Sequence, residues 1–139
     1  MVFKQPDTKE FEQIKQLVEE LWLDNENMQP GQFRVLSDNG KVIAFGRLRK
    51  HSDATEICSV GVATDFQKRG FGKKIVEHLL QQANGEIYLV TVVPDFFAKI
   101  GFKKVDKYPD SLKHKVEICS TEYHVQDPYF VMKWEKKKI

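Results

Sequence analysis

Charge of one sign is what this chain most plainly lacks. Its 22 Lys and Arg stand against 20 Asp and Glu, a formal net charge of +2. That balance gives no basis for a nucleic-acid partner, which asks for a concentrated basic surface. Long hydrophobic runs are missing too. None approaches the ~20 apolar residues that span a bilayer, so no membrane partner is expected. Cysteine is scarce: Cys58 and Cys119 lie far apart with no paired spacing around them. Cys119 has His114 and His124 nearby, but the intervals are irregular, so no metal is expected. Two unpaired thiols fit a reducing cytoplasm. Neither the Gly-x-x-x-x-Gly-Lys-Ser/Thr phosphate loop nor the Gly-x-Gly-x-x-Gly dinucleotide fingerprint occurs. The first 13 residues hold no apolar segment flanked by basic residues, which reads as no signal peptide. There is no repeat and no internal linker, so residues 1–139 are expected to form one domain.

What is present is the composition of an ordinary globular domain, with ten Phe to fill a core. Asp7 with Glu10 three residues later forms a capping-box pattern. Phe11, Ile14, Leu17, Val18 and Leu21 come next at helical spacing, predicting a helix over 8–22. Asn39-Gly40 is a hairpin signal between strands over 32–37 and 41–50. Ser52-Asp53 turns the chain into a third strand over 55–63. Ile75, Val76, Leu79, Leu80 and Ala83 predict a second helix, stopped at Asn84-Gly85. A doubly buried strand over 86–92, a short helix over 94–100 and strands over 102–108 and 129–134 complete the reading. Residues 109–127 give no clear pattern. Hairpins mixed with crossover helices imply an α/β (α+β) sheet with both parallel and antiparallel pairs.

The segment that carries chemistry runs from Val60 to Ile75. A strand ends, a turn containing Gly70 and Gly72 comes after it, and an amphipathic helix begins. Such a junction leaves backbone N–H groups pointing one way at the positive end of a helix, a setting for a phosphate or pyrophosphate. Lys68, Arg69, Lys73 and Lys74 add positive charge. Alone, the pattern equally describes a tight turn.

Two motifs sharpen it. Gln67-Lys68-Arg69-Gly70-Phe71-Gly72 resembles the Gln/Arg-x-x-Gly-x-Gly/Ala loop of the GNAT (Gcn5-related N-acetyltransferase) superfamily. Phe96-Phe97-Ala98-Lys99-Ile100-Gly101-Phe102 resembles that superfamily's second signature, near Phe-Tyr-Glu-Lys-Leu-Gly-Phe. One helix and one strand separate them, as in the family, and the resemblance runs from Phe33 to Trp134. It implies a mixed central sheet of about seven strands, flanked by three to four helices, with splayed central strands. It also implies acetyl-CoA as cosubstrate. Gln67, Lys68, Arg69, Gly70, Phe71, Gly72 and Lys73 would cradle the pyrophosphate. Val60, Gly61 and Val62 would pair with the pantetheine arm as an added strand. The N–H of Val60 would face the acetyl carbonyl as an oxyanion donor.

The spacing of Glu56 before Gln67 resembles that of the catalytic Glu in histone-type members, so Glu56 is the candidate base. Strand alternation would put Glu56, Cys58, Val60 and Val62 on one face. A pairing of Glu56 with Arg47 or Arg49 is the structural alternative. Phe97 departs from the family's frequent Tyr, which protonates the CoA thiolate; Tyr88, Tyr108, Tyr123 and Tyr129 are the substitutes to consider. Cys58 reads as a small buried hydrophobe. His51 reads as solvated beside a turn, and His78 as lying on the exposed side of its helix.

For the acceptor, the resemblance points to Phe33, Arg34, Arg47 and Arg49. The two arginines at 47 and 49 share a strand face suited to a carboxylate. A weaker similarity to small N-acetylglutamate-synthase-like members implies a small-molecule amine, such as an amino acid. A protein lysine or N-terminal acetyltransferase and a non-catalytic acyl-CoA sensor are the alternatives. Many members pair through their last strands, so the resemblance also allows a homodimer.

Overall fold

The structure, a computed structural model, describes residues 1–122 and 129–135. Of the groups named above, Tyr123, His124 and the side chain of Cys119 lie outside the described residues. The elements in chain order are β1 (Val2–Lys4), α1 (Thr8–Glu20), β2 (Phe33–Asp38), β3 (Lys41–Lys50), β4 (Thr55–Val62), α2 (Phe71–Gln82), β5 (Glu86–Thr91), α3 (Pro94–Ala98), β6 (Lys103–Lys104), α4 (Asp110–Glu122) and β7 (Phe130–Glu135). The seven strands form one mixed sheet in the order β1-β2-β3-β4-β5-β7-β6. β4 and β5 run parallel, and their ladder is only two pairs long, Thr55 with Ile87 and Glu56 with Tyr88. β7 inserts antiparallel beside β5, and the short β6 pairs outside it.

Two differences from the sequence reading stand out. The unpatterned stretch after residue 109 contains α4. Its apolar row of Leu112 and Val116 is interrupted by Lys115, which is itself buried. The strand expected over 102–108 contracts to Lys103–Lys104, two exposed residues with no alternating apolar face.

By internal contacts the chain divides into two units, Met1–Arg49 with Ile57–Gln82, and Lys50–Glu56 with Ala83–Ile139. In the first, the Asp7 carboxylate accepts from the Glu10 N–H and the Glu10 carboxylate from the Asp7 N–H, so the predicted box starts α1. Ile14 and Val18 of α1 pack on Phe33, Val35, Val42 and Phe45. The opposite face of β3 takes α2, and Gly46 lets it approach: a Cβ there would stand 2.5 Å from Leu79 Cδ1. The hairpin between β2 and β3 turns at Asn39 and Gly40, both at positive φ as predicted. In the second unit, Tyr88, Leu112 and Val131 form a core joined by Ala54, Val90, Val105, Tyr108 and Val116.

Candidate active site

The Gly-containing loop enters α2 through a short 3-10 turn, Thr64–Phe66. Lys68 and Gly70 both hold positive φ, 65° and 84°. Left-handed residues alternating with ordinary ones curl a backbone so that successive N–H groups converge, a concavity that suits an anion. Only Gly takes such a φ freely, which is what Gly70 contributes. Phe71, Gly72 and Lys73 then form the first turn of α2, whose N–H groups have no intrahelical acceptor. Gln67 turns back, its side-chain amide donating to the Val62 carbonyl at 3.1 Å. Lys68, Arg69, Lys73 and Lys74 are exposed. Arg69 and Lys41 lie over the Phe66 ring, which gathers their charges beside the loop. The loop thus has the shape and sign for a pyrophosphate.

β4 leads into this loop and is not a regular strand. Ser59 sits at φ 50°, and its hydroxyl donates to the Asp24 carbonyl at 2.6 Å. One left-handed residue inside a strand has the character of a bulge and re-aims the residues after it. The alternation expected to align Glu56, Cys58, Val60 and Val62 is therefore interrupted at Ser59. Sequence reading missed this because Ser, unlike Gly, gives no sign of positive φ. Val60 and Val62 are half-buried, and Gly61 is buried against the Phe45 ring.

Glu56 is 1% exposed. It does not pair with Arg47 or Arg49. Its Oε1 lies 2.8 Å from His51 Nε2. Lys115 Nζ of α4 stands 3.0 Å from Oε2, an ion-pair distance, though the alignment is not that of a hydrogen bond. His51, expected in solvent, is thus mostly covered. Asp53, in the same turn, accepts from the Ser111 hydroxyl at 2.6 Å and from the Ser111 N–H at 3.2 Å. Those bonds hold the Asp53 carboxyl below its usual range. Lys115 was missed because a Lys in an unpatterned segment reads as solvated.

The four acceptor candidates do not sit together. Phe33 and Arg47 are fully buried and face each other across β2 and β3, with the guanidinium 5.7 Å from the ring. Arg47 donates from Nε to the Gln32 side chain at 2.9 Å, and from Nη2 to the Glu26 and Asn27 carbonyls at 2.7 and 2.9 Å. Its buried Nη1 has no hydrogen-bond partner. Arg49 reaches Asp24 at 3.9 Å and Glu26 at 3.5 Å. Both arginines therefore tie β3 to the loop over 24–32. Arg34 points to the other face of β2: it donates to the Phe33 carbonyl and acts electrostatically on His78 of α2. His78, expected on the exposed side, is half-buried and stacked on Phe3 at 4.5 Å.

Phe97 is buried between Phe96 and Phe102, at 4.9 and 5.7 Å with near-perpendicular rings. Cys58 is buried, as expected. Tyr88 is buried with its hydroxyl donating to Glu86, and Tyr108 belongs to the second unit's core. Tyr129 lines an open cavity of about 310 Å³ with Lys104, Asp106, Val116 and Phe130.

The model of the acetyltransferase (GNAT) family matches residues 3–102. An amino-acid acetyltransferase of Mycobacterium tuberculosis (strain ATCC 25618 / H37Rv) is 33% identical over 85 residues, covering 58% of this chain and 49% of that protein. The chain thus spans about half the length of this curated relative. Among solved structures, Rv2747 from M. tuberculosis in complex with CoA superposes with a TM-score of 0.80 at 22% identity, over 99% of this chain and 100% of that one. N-acetylglutamate synthase from Neisseria gonorrhoeae, complexed with coenzyme A and N-acetyl-glutamate, gives 0.79 at 15% identity, over 99% of this chain and 35% of that one. The last two likenesses concern the fold.

Proposed function

This chain belongs to the acetyltransferase (GNAT) family, and on that premise we propose that it transfers an acetyl group from acetyl-CoA to the amine of a small molecule, an amino acid. The observation that carries the reading is the loop from Gln67 to Lys73. It combines two left-handed residues, an open helix N-terminus and three exposed cations at the place where the family signature falls. In this reading Gln67, Lys68, Arg69, Gly70, Phe71, Gly72 and Lys73 hold the CoA pyrophosphate. Val60, Gly61 and Val62 pair with the pantetheine arm, and Phe97 backs the thiol end from the core of its unit. Residues 1–139 act as one domain, with the cytoplasm as its setting.

The chemistry draws on the chain's own groups. The acceptor loses a proton to Glu56, directly or through water. The neutral amine attacks the thioester carbonyl, and the Val60 N–H receives the developing oxyanion. A donor of that kind contributes about 3–4 kcal/mol. The tetrahedral intermediate collapses with loss of the CoA thiolate, which a thiol of ordinary acidity accomplishes without an acid partner, and the second proton on the former amine nitrogen passes to that thiolate or to water. Arg49 and the spare Nη1 of Arg47 are the cations for an acceptor carboxylate. The amino-acid acceptor rests on the M. tuberculosis relative, an amino-acid acetyltransferase by name.

Chromatographic detection of free CoA from acetyl-CoA, over amino acids, polyamines, aminoglycosides and lysine peptides, tests this. Release accelerated by amino acids above the no-amine control is expected. Faster turnover of peptides transfers the reading to a protein-modifying enzyme. A second reading is a CoA-binding sensor without turnover, and the feature favouring it is Phe97 where many members have Tyr. Binding of CoA with no release on any amine would establish it.

A further inference from the structure

A buried base has to lose its proton after each turnover, and Glu56 is buried. At 1% exposure the carboxylate has almost no contact with bulk water. Among the described residues, Lys115 stands at Oε2 and His51 at Oε1. An ammonium already carries its three protons and accepts none. Imidazole does accept, and it is the side chain whose ordinary charge change falls between about pH 5 and 8. His51 Nε2 is 2.8 Å from Oε1, a distance for direct transfer, and its side chain is 19% exposed at the end of β3.

We propose that His51 is the proton outlet of the Glu56 base, passing to solvent the proton that Glu56 removes from the acceptor amine. The inference rests on the reading of Glu56 as base. The ammonium of the acceptor gives one proton to the carboxylate. The carboxylic acid returns it to Nε2, forming an imidazolium, and one proton leaves Nδ1 to water. Nε2 then carries the proton, and a swing of the ring that lets Nε2 lose it to water while Nδ1 regains one restores the starting tautomer, so charge balances over the turnover. Charged groups face the transient cation from two elements. The carboxylates of Glu56 and Asp53 attract it, Asp53 from within the same turn, while the Lys115 ammonium from α4 opposes it from beyond Glu56. The two bonds from Ser111 to Asp53 hold the turn against α4. His51 is a positioning and relay residue; it does not touch the acceptor in this scheme.

Three variants of the full chain test it, with acetyl-CoA and L-glutamate or whichever amine the panel of acceptors selects. His51→Gln keeps a hydrogen-bonding side chain at the place but carries no proton. It is expected to lower kcat about tenfold or more while leaving KM for acetyl-CoA unchanged. His51→Ala is expected to do the same and to regain rate when imidazole is added. Glu56→Gln is expected to be inactive and not rescued. Full rate in His51→Gln overturns the outlet; if Glu56→Gln is then inactive, the base reading survives alone. Full rate in Glu56→Gln overturns both. Should His51→Ala fail to fold, His51→Gln decides. Nitrogen NMR of the histidine rings needs no acceptor. A ring of His51 that changes charge between about pH 5 and 8, at a midpoint moved by Glu56→Gln, supports the relay. A ring fixed in one charge state over that range overturns it.

Discussion

Replacing Gly61 by Ala puts one methyl group where the structure has no room. A Cβ at Gly61 would stand 2.5 Å from Phe45 Cζ, 2.9 Å from Phe45 Cε1 and 3.1 Å from Leu21 Cδ1. Carbon atoms attract one another best at about 3.5–4.0 Å, so the overlap with the ring is about 1 Å. Phe45 is fully buried among Phe33, Val35 and Val18 and has no free space to swing into. The expected cost is that of an overpacked core, about 1–3 kcal/mol. For a domain of this size that lowers Tm by roughly 3–10 °C. Gly46→Ala is the control. Its nearest contact is also 2.5 Å, but with Leu79 Cδ1, the end of a flexible side chain, and the next atoms are at 3.5 Å. It should fall at the low end of the same range. Phe45→Leu removes the ring that Gly61→Ala strikes, so the double variant should be more stable than the two single losses predict, by about 1 kcal/mol or more. Urea unfolding followed by circular dichroism measures the four variants against the parent. Additive losses would refute the reasoning, as would a Gly61→Ala protein as stable as the parent.

Three further outcomes are expected. Ser59→Ala loses the 2.6 Å bond to the Asp24 carbonyl, while Ser59→Gly loses it and also relieves the left-handed backbone. The Gly variant should therefore be more stable than the Ala variant by about 1 kcal/mol in urea unfolding. Trp22 holds φ 56° just after α1 with its side chain 77% exposed. Trp22→Gly removes a left-handed penalty of about 1–2 kcal/mol against a glycine entropy cost of about 0.5–1 kcal/mol, so Tm should rise. Burial first, and the charge of Arg34 second, lower the pKa of the His78 ring. The unfolded chain then binds the proton more readily. Its contribution is present above the ordinary value of about 6.5 and is lost as pH falls through the lower folded value. Urea midpoints should decline with acid over that window, and His78→Phe should flatten the decline.

Local chemistry was legible wherever a residue's own neighbours in sequence decide its conformation. The Asp7–Glu10 box, the Asn39-Gly40 turn and the stop at Gly85 all stand where their residue types put them. The loop at Gly70 belongs to the same class. What escaped depends on partners far along the chain. His51 borders a polar turn and reads as solvated until Glu56 covers it. Lys115 breaks the apolar row of α4 for a carboxylate on β4, and so hides the helix itself. Arg47 and Arg49 do share a target, but it is the loop over 24–32 that holds them. The irregular Ser59 has a cause, the Asp24 carbonyl, that no spacing rule contains.

The grip of Arg47 on that loop has a consequence for how the loop can change. Two of its three hydrogen bonds end on main-chain carbonyls, those of Glu26 and Asn27, and only one on a side chain, Gln32. A carbonyl is present whatever residue stands at the position. Those two bonds are therefore insulated from composition, and the exposed Asn25 is open to replacement without loosening the anchor, whereas Asn27 holds φ 49° and Met28 packs on the core beneath α1. A set of variants at position 25, with Arg47, Gln32, Asn27 and Met28 kept, would present new surfaces on an unchanged backbone.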